Sequence, residues 1–538
     1  MPESAPDFLL ARLERLNAIG IALSSERDPT RLLELILLGA KDLTLADAGT
    51  LYRVSADAQQ LDFAILRNDS LRLAMGGSSG VPITLPSVPL RTPAGQPNQT
   101  SVVAQAVLTR ATVNIADAYH AEGFDFAGTR AFDQRTGYRS TSFLTVPMTN
   151  HENEIVGVLQ LINARDAAGR IVAFSPADQK LVESLASQAA TVASQYELIA
   201  GMRALFEALV KLIATAIDEK SPYTGGHCRR VPELTMLLAE AAHRTRCGPL
   251  AAFTLSDADR YELRIASWLH DCGKLTTPDW VMDKPTKLSA PQDRIELIAL
   301  RFGCAKAQAE LTHWRALHTG AEAAAATRSP IEDQLRQLDD DLAFLRRCNT
   351  GGEFMSEAHQ QRVQAIAAQT WLGPDGRPQP LLEPDEVTNL LISKGTLNAE
   401  ERSVINHHIV VTQRMLESLP YPKHLRRVPE YAGGHHERMD GRGYPNGLTR
   451  DELSVPARMM GLADVFEALT AGDRPYKKAY TLSQALHILG TMKVDGHFDP
   501  DLFEVFMREG VWRDYAERYL PRAQIDAVDL TKIPGFTP

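Results

Sequence analysis

One uninterrupted helical signal, from Ser175 to about Ile217, constrains this chain more than any other feature. Ser175 suits an N-cap, Pro176 fits the first helical position, and Asp178 can complete a capping box. Leu181, Leu185, Gln188, Val192, Gln195, Ile199, Met202, Phe206, Leu209 and Ile213 then alternate steps of four and three. That spacing is a heptad seam, with Gln at two of its positions. Two arrangements accommodate it. The helix either packs along its length on its own domains, or pairs in a parallel dimeric coiled coil that joins two domains. The seam favours the second, and with it a homodimer.

A length of 538 residues allows two to four domains. With 44% hydrophobic and 23% charged residues, the composition is that of a soluble globular protein. A formal net charge of -10 argues against a nucleic-acid polymer as partner, while leaving room for a basic pocket that takes a small nucleotide. The five Cys show no CxxC spacing, so neither a disulfide framework nor a Cys-rich zinc site is indicated, and they fit reduced thiols in a cytosol. No apolar run approaches the roughly 18 residues that span a bilayer. The opening MPESAPDFLLARLERL resembles an amphipathic helix rather than a signal peptide. The expectation is a cytoplasmic protein without membrane insertion.

The seam divides two unlike regions. Residues 8–174 mix helix and strand signals. Leu32–Leu45 reads as a helix, and Gly49–Ser55 and Leu61–Leu66 as strands. Gly76–Asn98 reads as a loop, and Thr141–Pro147 with Ile155–Ile162 as a hairpin. This is an α+β domain with an antiparallel sheet. Residues 175–217 form the linker helix. The second domain, 205–510, is all helical, with periodic segments at Val231–Arg244, Asp257–Leu269, Glu400–Leu416 and Leu482–Met492. Within it, residues 289–394 read as an inserted helical hairpin or small bundle, seamed by Ile331, Leu335, Leu338, Leu342 and Leu345. Residues 511–538 read as a C-terminal tail.

The chemistry-bearing residues lie in five segments of the helical domain: YTGGHCRRV (Tyr223–Val231), HDCGK (His270–Lys274), NHHIVVT (Asn406–Thr412), HHERMDGRGYP (His435–Pro445) and LADVFEALTAGDRPYKK (Leu462–Lys478). Imidazoles mixed with carboxylates suit divalent iron, manganese and similar ions. Two such ions about 4 Å apart can activate a water and stabilise the attacking and leaving oxygens of a phosphodiester. Lys274, one turn past His270, is the cation available to a phosphate. One His–Asp dipeptide would carry little weight; the joint occurrence of all five segments carries it.

Together HDCGKLTTPDWVMDKPTKL, HHERMDGRGYP and ADVFEALTAGDRPYKKA resemble the HD-GYP branch of the HD phosphohydrolase superfamily, over about residues 205–510 outside the insertion. The resemblance implies an all-helical domain that hydrolyses cyclic di-GMP to pGpG, GMP or both, using two or three ions, commonly iron or manganese. It implies His227, His270, Asp271, His408, His435, His436 and Asp464 as metal ligands. Asp271 would bridge the ions and, with Lys274, serve catalysis. Lys274, Arg474 and Lys477 would contact substrate phosphates, and Tyr444 would shape the nucleotide pocket. Register leaves His407 as the alternative to His408. A third ion would need an acid near His227, where Tyr223 stands and Asp218 and Glu219 lie farther back, so two ions are expected. The insertion can be a lid, a dimer surface, a partner-binding element or a structural elaboration. His313, His318, His424, His487 and His497 are read as non-ligands, and Met459–Met460 as core.

The front domain resembles a GAF domain through VNIADAY (Val113–Tyr119), FDQRTGYRSTSFLTVPM (Phe132–Met148) and GVLQLIN (Gly157–Asn163). Cyclic-nucleotide-binding GAF domains carry an Asn–Lys–Phe–Asp–Glu set. Asn114, Phe124 and Asp133 match three of those places, while Ile115 and Gln134 depart from it. A small-ligand sensor and a ligand-free dimerisation module both remain open. A receptor or scaffold for cyclic di-GMP, without catalysis, and an HD phosphohydrolase for another cyclic dinucleotide are the competing functions.

Overall fold

The computed structural model describes residues 5–26, 28–55, 57–166, 168–221, 226–318, 328–352, 354–472 and 479–538. The chain forms two compact units, residues 1–205 and 206–538.

The first unit begins with α1 (Ala5–Ser25) and α2 (Pro29–Thr44). Asp28 caps α2 by accepting from the amides of Thr30 and Arg31. Strands β1 (Ala46–Val54), β2 (Gln60–Asn68), β3 (Leu73–Gly76) and β4 (Val88–Pro89) follow. After them come α3 (Val102–Thr109), β5 (Val113–Ile115), α4 (Ala127–Thr136), β6 (Phe143–Thr149), β7 (Ile155–Arg165) and β8 (Ile171–Val172). The eight strands make one antiparallel sheet whose main path runs β3-β2-β1-β7-β6-β5. Central strands β1 and β7 are buried almost throughout, because helices and loops cover both faces. Leu37, Leu51, Leu144 and Leu161 build the core on the α2 side, joined by Val182, Leu185 and Ala189 from the next helix.

That helix, α5 (Pro176–Lys220), is 45 residues long. It opens with the expected capping box: Asp178 N donates to Ser175 Oγ at 3.1 Å, and Ser175 N donates to Asp178 Oδ2 at 2.9 Å. The seam is shared out along its length. Leu181 and Leu185 are buried in the sheet unit, while Phe206 and Ile213 pack against the core of the helical unit. The apolar line left exposed is Leu198, Ile199, Met202, Leu205, Leu209 and Leu212, at 49–64% exposure. At 205 and 212 the solvent-facing line therefore runs one residue ahead of the one read from spacing, while Leu209 is common to both. Apolar residues stand at both 205/206 and 212/213, and the core takes the second of each pair.

The helical unit continues with α6 (His227–Arg244), α7 (Asp257–Leu269) and α8 (Asp279–Met282). The inserted segment supplies two short hairpins, β9/β10 (Ser289–Ala290, Gln292–Asp293) and β11/β12 (Thr370–Leu372, Pro378–Pro380). Its helices are α9 (Ile295–His318), α10 (Arg328–Asn349), α11 (Glu357–Ala367) and α12 (Pro384–Leu390). Next come α13 (Ala399–Glu417), α14 (Val428–Gly433), α15 (Val455–Thr470), α16 (Leu482–Val494), α17 (Pro500–Arg508) and α18 (Val511–Tyr519). Residues 511–538 are part of the body rather than a loose tail. Val511, Trp512, Tyr515 and Ala516 form one face of α18 and are buried with Ile533 and Phe536 in the main core. Met459 and Met460 are core residues as well.

The insertion has its own core, with Ile298 and Phe302 of α9 meeting Leu338 and Leu345 of α10. Two buried lysines fasten it. Lys284 Nζ donates to both carboxylate oxygens of Glu401 at 2.7 and 2.8 Å and to Asn389 Oδ1 at 3.1 Å. Lys287, 2% exposed, donates to the carbonyls of Leu390 at 3.1 Å and Ile392 at 2.6 Å. Burial lowers the Lys287 pKa. Lys287→Met is expected to keep the packing volume but leave two carbonyls without their charged donor, costing about 2 kcal/mol. Hydrogen exchange should rise in α12 and the 390–393 segment while α6 and α7 remain protected.

Candidate metal centre

Five elements of the helical unit bring their His and Asp residues to one point. α6 starts at His227. Asp218 fixes that start by accepting from Gly226 N at 3.1 Å and Cys228 N at 3.3 Å, so its carboxylate is committed to the helix amides. His270 closes α7, and Asp271 leads into the tight turn Cys272–Thr276 that carries Lys274. α13 presents His408. His435 and His436 follow α14, and Asp464 comes from α15. His407 points elsewhere and is exposed, whereas His408 is 2% exposed.

Four of the five imidazoles are oriented through Nδ1. Nδ1 of His270, His408 and His435 lies 2.8, 2.5 and 2.6 Å from the carbonyl oxygens of Ser267, Ile405 and Ala432. A carbonyl only accepts, so each Nδ1 carries a hydrogen and each Nε2 faces the centre. His227 differs, because its Nδ1 meets the buried Glu467 carboxylate, which also accepts from Arg230 Nε at 2.6 Å.

The inward atoms form two donor sets, His227/His270/Asp271 and His408/His435/His436, each mutually within 4.8 Å. Asp271 lies between them. Its Oδ2 is 3.3 Å from His227 Nε2, 3.2 Å from His270 Nε2 and 2.6 Å from Lys274 Nζ. Its Oδ1 is 3.4 Å from His408 Nε2. Asp464 Oδ1 closes the first set, 3.1 Å from His227 Nε2. Nε2 of His436 and of His408 face one another at 3.3 Å. Nε2 of His227, His270 and His435, and Asp271 Oδ1, are buried without a hydrogen-bond partner. Four orphaned buried donors converging on one centre would be costly in a purely structural cluster. They fit divalent cations.

Charge is distributed unevenly. Burial alone would push His227 and His270 down. Glu467, Asp271 and Asp464 overrule it, holding His227 well above its usual value, and the two aspartates lift His270 to about 9. Burial would raise Asp271 and Asp464, but the facing imidazoles, with Lys274 beside Asp271, hold both carboxyls well below the usual range. In the other set, burial pushes His435 far down and His436 to about 4. One half of the centre is thus carboxylate-rich, and in the other burial disfavours the charged form of the paired histidines His435 and His436.

The loop beyond the paired histidines folds over them. Tyr444 stacks on His436 with ring centroids 4.8 Å apart. Buried Glu437 accepts from Asn446 N at 2.8 Å and Leu448 N at 2.9 Å, pinning the loop. Gly443 is required there, since a Cβ would fall 2.4 Å from Arg438 N. On the other side of the centre, Lys220, the last residue of α5, donates to the carbonyls of Lys274 at 3.2 Å, Leu275 at 2.7 Å and Thr277 at 2.6 Å. Arg474, Lys477 and Tyr223 lie outside the described residues.

Sequence reading missed Glu467, Arg230 and Glu437. A signal existed for the first two. Glu467 stands one turn after Asp464 and Arg230 one turn after His227, so both pairs share a face where α6 packs on α15. Glu467→Gln is expected to weaken metal binding by about 10–100-fold, as loss of a carboxylate behind a histidine ligand does elsewhere. Metal titration of the purified protein reads this directly.

In the sheet unit, Asp133 accepts from Tyr119 OH, Ser140 N and Ser140 Oγ at 2.7–2.8 Å. Asn114 donates to Phe174 O and Gln179 Oε1, and Phe124 packs beside Phe126. All three are engaged within the domain.

Compared with known proteins, residues 28–192 match the GAF domain family and residues 381–502 match the HD domain family. The chain therefore carries a GAF domain and an HD domain, as its motifs implied. Over 300 residues it is 27% identical to a 3'3'-cGAMP-specific phosphodiesterase of Vibrio cholerae, covering 56% of this chain and 38% of that one. Over 125 residues it is 36% identical to a cyclic di-GMP phosphodiesterase of Pseudomonas aeruginosa, covering 23% and 28%. The chain thus spans well under half the length of these relatives. No helix among the described residues is long and apolar enough to cross a membrane.

Proposed function

We propose that this chain, a GAF domain joined by α5 to an HD domain, is a metal-dependent phosphodiesterase that opens cyclic di-GMP to pGpG, GMP or both. The observation that carries the reading is the pair of donor sets meeting across Asp271, with buried lone pairs left over on both sides. His227, His270, Asp271 and Asp464 would hold one ion, and His408, His435 and His436, with Asp271, a second. Bound divalent ions supply Lewis acidity that activates water and neutralises phosphate. Iron or manganese suits a set this rich in imidazole and carboxylate. The engagement of Asp218 on the α6 amides favours two ions over three.

The chain's own groups complete the site. Lys274, held against Asp271 Oδ2 and partly exposed, is placed to bind a non-bridging phosphate oxygen. The Tyr444 ring offers one face to His436 and leaves its loop to bound the nucleotide pocket. Arg474 and Lys477 are assigned to phosphate contacts on the resemblance alone. A cytoplasmic location goes with this substrate class and with five unpaired cysteines. The exposed line of α5 supports pairing of two chains, and the GAF domain is assigned a small ligand, a cyclic nucleotide among the candidates.

A second reading, 3'3'-cGAMP as the preferred substrate, is favoured by the relative that matches 56% of this chain. Protein loaded anaerobically with iron or manganese should convert cyclic di-GMP to linear product, and competition with 3'3'-cGAMP ranks the two. A protein that binds a cyclic dinucleotide, carries stoichiometric metal and turns over neither would overturn the enzymatic reading in favour of a receptor.

A further inference from the structure

A groove leads from the metal centre to the end of the insertion. Beside His408 lies a cavity of about 330 Å³, lined by Thr276 and Thr277 and by Ser403 and His407 of α13. Ser403 also lines a second cavity, of about 550 Å³, so the two meet at that residue. Each has the size of a small-ligand pocket, about 300–1,000 Å³. The second runs back along α13 over Ala399, Arg402 and Asn406, which share one helix face at steps of three and four. Its remaining wall comes from residues 391–394 and Leu397, where the insertion returns to α13. That wall is fixed. Lys287 holds the carbonyls of Leu390 and Ile392, Ser393 O accepts from Met355 N at 3.0 Å, and Thr396 Oγ1 donates to Lys284 O at 3.0 Å. Lys394 therefore lines the groove from a pinned segment.

The charge of the groove is one-sided. Lys394 and Arg402 line it, and among the described residues no acid does. Glu401, beside Arg402 in sequence, is spent on Lys284, and Glu400 lies outside the lining. Both cations are exposed, and among the described residues neither forms an ion pair or a side-chain hydrogen bond. In a chain of net charge -10, such a stretch is a local positive field that draws an anion. Which anion follows from where the groove leads. Arg402 precedes His408 by six residues, about 9 Å along the helix. A single phosphate held at the metal centre does not extend that far. A cyclic dinucleotide does, because its second phosphate and second base stand away from the bond being cut. We propose that this groove seats the uncut nucleotide of a cyclic dinucleotide, with Arg402 and Lys394 taking its phosphate. The inference rests on the phosphodiesterase reading for the phosphate that is cut. It makes the end of the insertion a wall of the substrate site, and Lys394 and Arg402 residues that select a dinucleotide over a smaller diester.

The test uses the full-length, manganese-loaded protein and two diesters. Lys394→Ala/Arg402→Ala should raise KM for cyclic di-GMP about tenfold and leave kcat nearly in place, the mark of binding lost equally from substrate and transition state. Thermal unfolding should match the parent's, since both side chains are exposed. Bis(p-nitrophenyl) phosphate is too short to reach Arg402 from the metal centre. The preference for cyclic di-GMP over it, read as the ratio of the two kcat/KM values, should therefore fall about tenfold as well. Arg402→Lys alone should keep most of that preference, because the charge stays. An unchanged KM for cyclic di-GMP, or two diesters slowed alike so that the ratio holds, would overturn the groove. A parent protein that cleaves neither diester would instead overturn the phosphodiesterase reading. The groove would then be judged by equilibrium binding of cyclic di-GMP, which the double variant should weaken about tenfold; equal binding by parent and variant would overturn it.

Discussion

The His270→Ala/Asp271→Ala protein is expected to turn over no cyclic dinucleotide, a fall on the order of 10⁴-fold or more. His270 is fully buried, with Nδ1 tied to Ser267 O and its free nitrogen aimed inward. Asp271 is the group whose two oxygens face different donor sets, His227 and His270 on one side and His408 on the other. Removing both empties one set and unlinks it from the second. Bound metal should fall together with activity. Lys274 also loses its carboxylate partner, so phosphate binding is expected to weaken as well. Turnover equal to that of the parent, at equal metal content, would sink the assignment. Thermal unfolding beside the metal and product assays distinguishes a lost site from an unfolded protein.

Gly273→Ala is expected to be nearly as severe, for a different reason. A Cβ on Gly273 would lie 2.0 Å from the His408 carbonyl oxygen and 2.7 Å from Thr412 N. Both atoms belong to the backbone of α13, which cannot rotate away as a side chain would. Gly273 N also donates to Thr412 Oγ1 at 2.9 Å, so the turn and the helix are joined as well as close-packed. Separating them would move His408 from Asp271. A cost of about 3 kcal/mol is expected, the upper end for overpacking a filled core, with thermal unfolding and metal content falling together. Gly201→Ala on α5 is the contrast. Nothing lies within 4 Å of its added Cβ, and the change is expected to stabilise the helix by about 1 kcal/mol.

Elements whose signal is local were legible in the sequence. Ser175–Asp178 marked the start of α5, Asp257–Leu269 is the span of α7, and the hairpin read at 141–147 and 155–162 is β6–β7. The His-bearing segments were legible as short peptides because each ligand sits beside a helix end or inside a helix. What depended on distant partners was not. Periodicity placed Phe206 and Ile213 on the exposed seam, and only the core of the helical unit shows that they turn inward while Leu205 and Leu212 face solvent. Glu467 gains its role from His227, 240 residues away along the chain.

The grip of Lys220 on the turn at Lys274 gives α5 a phase as well as a length. An α-helix turns about 100° and rises 1.5 Å per residue. Deleting a single residue of α5 between Phe206, which is packed in the helical unit, and Lys220 therefore swings the Lys220 ammonium around the axis, away from the three carbonyls it serves. Deleting seven returns it nearly to its original bearing. The helix works as a keyed shaft: the turn beside Asp271 is held at only a few of the angular settings of Lys220.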